Sequence, residues 1–119
     1  MWPFEFGETV VVLRARRVED PYSGESRLDW DDPLEFPMEH CAVDARAVGE
    51  AAEPADNPIR DPIITGRRVF GPHGWDVTPE DRMRVRGEVW DVHGEPFDPV
   101  SPFSGWAPGT QVDLKRVEG

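Results

Sequence analysis

Residues 81–96 read DRMRVRGEVWDVHGEP, and this stretch decides the fold. Arginines at 82, 84 and 86 alternate with Met83 and Val85. A period of two is the mark of a strand, whose successive side chains point to opposite faces. Met83 and Val85 are therefore expected to face a core, and Arg82, Arg84 and Arg86 to face outward. Gly87-Glu88 stands where a turn belongs, and residues 89–93 return as the partner strand. The segment reads as a β-hairpin with a basic outer stripe, in a chain whose formal net charge is -11. Such a stripe fits nucleic-acid contact, a plain two-faced strand, or contact with an acidic neighbouring subunit.

Working outward, residues 9–17 (TVVVLRARR) show the same alternation. Val11, Leu13 and Ala15 share one face, and Val12, Arg14 and Arg16 the other, which predicts a strand with one buried face. Residues 18–33 carry Pro21, Gly24, Pro33 and many acids, and read as a long acidic loop anchored by Tyr22, Leu28 and Trp30. Residues 39–46 predict a strand with Cys41, Val43 and Ala45 inward. Residues 47–62 (AVGEAAEPADNPIRDP) read as a long loop, of the kind that is functional or disordered in a small domain. Residues 63–70 predict a strand with Gly66 as a bulge or bend. Residues 78–81 can start one helical turn, but nothing sustains it. Residues 95–109 are a Pro- and Gly-rich loop, and residues 110–117 predict a last strand with Val112 and Leu114 inward.

The chain has 119 residues, enough for one domain with one modest core. Thirteen prolines and eleven glycines are spread along it, which favours many short elements. The expected fold is mainly β: a small antiparallel barrel or sandwich of five to six short strands, with long loops and at most one short helix. No apolar run approaches the roughly 20 residues of a membrane-spanning helix, so no membrane contact is expected. The N-terminal MWPFEFGE has neither the basic nor the apolar region of a signal peptide.

The chemistry-bearing residues are sparse. Cys41 is the one cysteine, which excludes an internal disulfide. His40 and Cys41 are adjacent and point to opposite faces of a strand, while His73 and His93 stand alone. No pair has metal-ligand spacing, so no metal and no cofactor are expected. The four serines lie in loops outside any nucleophile-elbow setting, and GPHGWD lacks the GK[ST] ending of a phosphate loop. These absences point away from an enzyme. The basic residues are twelve Arg and one Lys, and the pI is near 4.6, an unusual balance for a domain that coats nucleic acid. Of the five tryptophans, Trp90 falls on a strand and is expected in the core. Trp2, Trp30, Trp75 and Trp106 fall in loops or at the terminus, where tryptophan and arginine serve as interface anchors.

One order of segments is distinctive: TVVVLRARRVEDPYSG, then LDW, CAV, a Pro-rich loop, DRMRVRGEVWDVHGEP, PFSGWAPG and a closing VDLKRVEG. From about Thr9 to Gly119 the chain resembles head-tail connector proteins of long-tailed phages, the head-closure or stopper group, in the form typical of actinobacteriophages. Its most specific part is DRMRVRGEVWDVHGEP followed by PFSGWAPG. The resemblance implies a small β-barrel that assembles into a ring, usually twelve-fold, in the neck of the virion. The implied neighbours are the portal or its adaptor above and the tail terminator or tail tube below. Double-stranded DNA would pass through the channel without specific binding. The implied location is the virion neck, and the host cytoplasm during assembly. By position, the loop at 47–62 matches the family's channel-reaching loop, making Glu50, Glu53, Asp56 and Asp61 candidates for an acidic lining. Candidates for subunit contacts are Arg14, Arg16, Arg82, Arg84, Arg86, Trp30 and Trp106. The competing reading is a small β-barrel nucleic-acid-binding protein using Arg82, Arg84 and Arg86.

Overall fold

The computed structural model describes residues 2–48 and 64–116. Six antiparallel strands close into a barrel in the order β1-β2-β3-β6-β5-β4. They are β1 Glu8–Glu19, β2 Ser26–Val48, β3 Ile64–Gly71, β4 Arg82–Val85, β5 Glu88–Val92 and β6 Thr110–Arg116. Among the described residues there is no helix. The expectation of a mainly β, small closed fold is met.

The core follows from alternation. Met83 and Val85 on β4, Trp90 and Val92 on β5, and Val112 and Leu114 on β6 all point inward and are buried. They meet Val10, Val12, Cys41, Val69 and Val77. Burying a side chain of this size contributes roughly 1.5–3 kcal/mol, so this cluster carries the stability of the barrel. The turn between β4 and β5 lies one residue earlier than expected. Arg86 (φ 51) and Gly87 (φ 81) are its central pair, and Val85 faces Glu88 across it. Positive φ at both positions defines a type I′ turn, whose twist matches the strands it joins.

β1 alternates as expected, and the face that meets the core is that of Val10, Val12 and Arg14. Val10 and Val12 belong to the core, Leu13 is buried outside that cluster, and Ala15 is half-buried. The next residue on the core-facing side is Arg14, and a charge at that position hides the true phase.

Residues 18–33 form no loop. β1 continues to Glu19, residues 20–25 make the turn, and β2 then runs without a break from Ser26 to Val48. β1 pairs with β2 from Glu8↔Cys41 to Glu19↔Ser26, with irregularities between Glu8 and Val10 and between Arg14↔Leu34 and Arg16↔Asp29. β4 reaches β1 only as far as Leu13↔Arg82, and β3 meets β2 only from Ala42 onward. Beyond those limits the β1–β2 ribbon projects from the barrel as an arm. Six residues of β1 beyond Leu13 give it a length of roughly 20 Å. Both faces of a ribbon meet water over much of this length, so no apolar alternation is required there. Pro33 and Pro37 sit where β2 has β1 as its one neighbour, the setting in which a strand tolerates proline.

Three smaller expectations also change. Gly66 is not a bulge: it faces Arg46 in an unbroken register from Val48↔Ile64 to Ala42↔Phe70. Ala45 is exposed, because this end of β2 outruns the core, while Cys41 is buried as expected and Val43 is half-buried. Ala47 and Val48, expected in the loop at 47–62, belong to β2, and the rest of that stretch lies outside the described residues. Glu50, Glu53, Asp56 and Asp61 lie outside the described residues.

Candidate functional site

The arginine stripe lies on the outer face of β4 and the adjoining turn, as alternation requires. Its members meet carboxylates of their own chain. Arg82 Nε donates to Asp91 Oδ1 across the hairpin at 3.0 Å. Its guanidinium also lies 4.2 Å from the centre of the Trp30 ring, so the arm's tryptophan reaches back to the barrel. Arg84 Nη2 donates to Glu35 Oε1 at 2.6 Å. Arg86 donates through Nε and Nη2 to the two carboxylate oxygens of Glu8, at 2.8 and 2.6 Å. That bidentate bond raises the Arg86 pKa, but both groups are solvent-accessible and the pair is screened. Arg16 Nε donates to the Asp32 carbonyl at 2.7 Å. The stripe thus ties β4 to β5, β2 and the start of β1.

Arg14 is different. It donates through Nε and Nη2 to Asp81, at 3.0 and 2.8 Å, and through Nη1 and Nη2 to the side chain and carbonyl of Asp76. The Asp81 carboxylate is almost fully buried and also accepts the Thr78 N–H at 2.9 Å. The Arg14 pKa is raised, first by the hydrogen bond to Asp81. The expected helical turn at 78–81 is a tight turn, closed by Asp81 N donating to Thr78 O at 3.0 Å. Sequence reasoning passed over Asp81. Its signal was present: an Asp three residues after Thr, immediately before a strand, is a turn-forming placement.

A second polar cluster holds the loop between β5 and β6. Thr110 Oγ1 donates to Asp98, Gly74 N donates to Asp98 Oδ2 at 3.2 Å, and His73 Nδ1 lies 3.4 Å from the same oxygen. The hydrogen bond from Thr110 is the largest cause holding the Asp98 carboxyl below its usual range. A hydrolytic triad needs the hydroxyl on the histidine, whereas here it meets the acid. Ser23, Ser101 and Ser104 each accept a backbone N–H nearby and shape turns. Burial pushes the Cys41 thiol up to about 12, which makes it a poor nucleophile. His40, His73 and His93 are exposed. Among the described residues no group of three His, Cys, Asp or Glu side chains is placed to hold a metal ion.

The same loop carries an apolar surface that the sequence reading noted only through Trp106. Trp106 is about half exposed, and Val100 and Phe97 are similarly open. Phe70, Pro99, Val100, Trp106 and Pro108 line a shallow groove there. Trp30 and Trp106 therefore lie in different settings: Trp30 is half-buried under Arg82, and Trp106 stands at an open surface.

The far end of the barrel has a third arrangement. Arg67 on β3 and Arg116 on β6 share the core-facing side of their strands with Val69 and Leu114. Their guanidiniums lie 4.7 and 5.4 Å from the centre of the buried Trp90 ring. Among the described residues neither has a carboxylate partner, although Arg46 and Arg68 nearby share Asp113.

No family model matches the chain, and a search of curated proteins gives no relative.

Proposed function

We propose that the protein is a structural subunit of a phage neck, forming a ring between portal or adaptor and tail through which DNA passes. The observation that carries this reading is the order of segments from TVVVLRARR through DRMRVRGEVWDVHGEP and PFSGWAPG to VDLKRVEG, which spans almost the whole chain. The architecture supports it. A closed barrel with a projecting ribbon offers two unlike surfaces, and a ring built by heterologous contacts needs such a pair. The charge supports it too. Arg82, Arg84 and Arg86 are each engaged by a carboxylate of the same chain, so the stripe is not an open cationic track. A surface with net charge -11 repels phosphates, which suits DNA that must slide.

The test is removal of the protein from a phage that encodes it, with the particles imaged by electron microscopy. The expected result is separate heads and tails, with complementation restoring density at the junction. Joined, infectious particles without the protein would overturn the proposal. So would tight duplex binding by the purified protein with a steep salt dependence, which would support the nucleic-acid-binding reading.

A further inference from the structure

The arm and the far end of the barrel are opposite in charge. The arm, residues 14–35, contains Glu19, Asp20, Glu25, Asp29, Asp31, Asp32 and Glu35 against Arg14, Arg16, Arg17 and Arg27, and the first three of these arginines are already paired with carboxylates of the chain. Two of these acids are engaged by arginines of the chain, Asp32 by Arg16 and Glu35 by Arg84. Glu25 and Asp31 are exposed and have no ion partner among the described residues. The arm's tip is at the Ser26 end of β2. At the other end of β2, Arg46 faces Gly66 on β3, beside Arg67, Arg68, Lys115 and Arg116. Among the described residues, Asp44, Asp91 and Asp113 are the acids of that region, and Asp91 is bonded to Arg82.

Arg67 and Arg116 are held differently from the arginines of the stripe. Cation–π contact with Trp90 orients both guanidiniums at the barrel end, and Arg67 Nη1 is fixed further by the Gly66 carbonyl at 2.9 Å. A guanidinium stacked on an aromatic ring keeps its edge N–H groups available to a carboxylate. Because it is already ordered, it loses little conformational freedom when an anion arrives. Two such groups on one ring form a receptor for acids.

We propose that the arm of one copy docks, through Glu25 at its tip and Asp31 nearer its base, on the arginine-capped barrel end of a second copy. The inference deepens the ring reading and rests on it for the idea that copies meet. The two surfaces lie at opposite ends of β2, so the contact is head-to-tail and closes into a ring or extends as a filament. A second copy is the favoured occupant because its arm carries the complementary charge.

The test uses full-length chains and two charge reversals. One variant carries Glu25→Arg and Asp31→Arg; the other carries Lys115→Glu and Arg116→Glu. All four positions are exposed, and circular dichroism establishes that each variant is folded. Self-association is read by sedimentation velocity at low and moderate salt. Wild type is expected to associate, more weakly as salt rises. Each variant alone is expected to sediment as a monomer. An equimolar mixture is expected to associate again, since each arm then faces an end of opposite charge. In a separate probe, Arg67→Gln is expected to weaken association by about 10-fold, the scale of a charge-assisted hydrogen bond.

Wild type that stays monomeric at low salt overturns the contact, as does either variant associating like wild type, or a mixture that remains monomeric. Duplex DNA binding that is lost with Lys115→Glu/Arg116→Glu, without self-association of wild type, would identify phosphate as the occupant and overturn the proposal. Failure of the ring reading is separate: imaging that places the protein outside the neck would sink that reading with the contact intact.

Discussion

At the scale of single residues, Arg14 and Asp81 decide more than their neighbours. Arg14 continues the face on which Val10 and Val12 enter the core, and Asp81 makes a cation there tolerable. The Asp81 side chain is 2% exposed, whereas Arg17 and Glu80 nearby are 61% and 56% exposed. Burial is what separates the energetics of the two pairs. Asp81→Ala leaves a half-buried guanidinium and the Thr78 N–H short of an acceptor, and is expected to lower stability by about 2–4 kcal/mol. Glu80→Ala is expected to change it by less than about 0.5 kcal/mol. Urea unfolding of the two variants checks the contrast. The same pair explains why alternation alone does not reveal which face of β1 is inward. Alternation found the inward residues of β4, β5 and β6 because the charges between them point out, with Arg116 at the end of β6 as the exception. It does not do so on β1, because one charge points in and is neutralised by a residue 67 positions away.

Individual elements show where sequence patterns lose their force. β2 was legible over residues 39–46, where Cys41 and Val43 line the core. Its first half lies in the arm, and prolines and acids there look like a loop. The loop between β5 and β6 was recognised as a loop, but its anchor was not. Asp98 and Thr110 are 12 positions apart, and Thr110 is placed by the pairing of β6 with β3. The anchor has a pH signature. The Asp98 carboxyl is held below its ordinary 3.8, first by Thr110, so its contribution is fully present above that value and is lost as pH falls through the lowered one. Asp98→Ala is therefore expected to lower the unfolding midpoint at neutral pH, with the difference from wild type shrinking below about pH 4. Thermal unfolding between pH 2 and 7 reads this directly. A difference that stays constant across the range would show that Asp98 contributes nothing through its charge.

For the whole molecule, closure of the barrel depends on its shortest seam. β5 and β6 meet through Trp90↔Arg116, Asp91↔Lys115 and Val92↔Leu114, whereas β2 and β3 are paired from Ala42 to Val48. Opening is expected to begin where little backbone pairing must break. Amides of β5 and β6 at this seam should exchange faster with solvent than those of Val43 and Val69 in the β2–β3 pair. Hydrogen exchange resolved by residue tests the order, and equal protection at both seams would count against it. The fold class was legible because strand period, turn residues and the lack of any helical pattern all agreed. The candidate surfaces were legible in kind but not in pairing. An arginine stripe announces a need for carboxylates, and only the closed barrel reveals that Glu8, Glu35 and Asp91 already supply them.

The prolines of β2 have a consequence for how long such an arm can safely be. A bare ribbon of this length exposes backbone donors and acceptors that invite another strand, the route to uncontrolled stacking and fibrils. Pro33 and Pro37, flanked by Glu35 and Glu39, interrupt that invitation along the stretch where β3 is missing. The arm's backbone is thereby a poor template for a further strand, and the proposed contact between copies is left to its side chains.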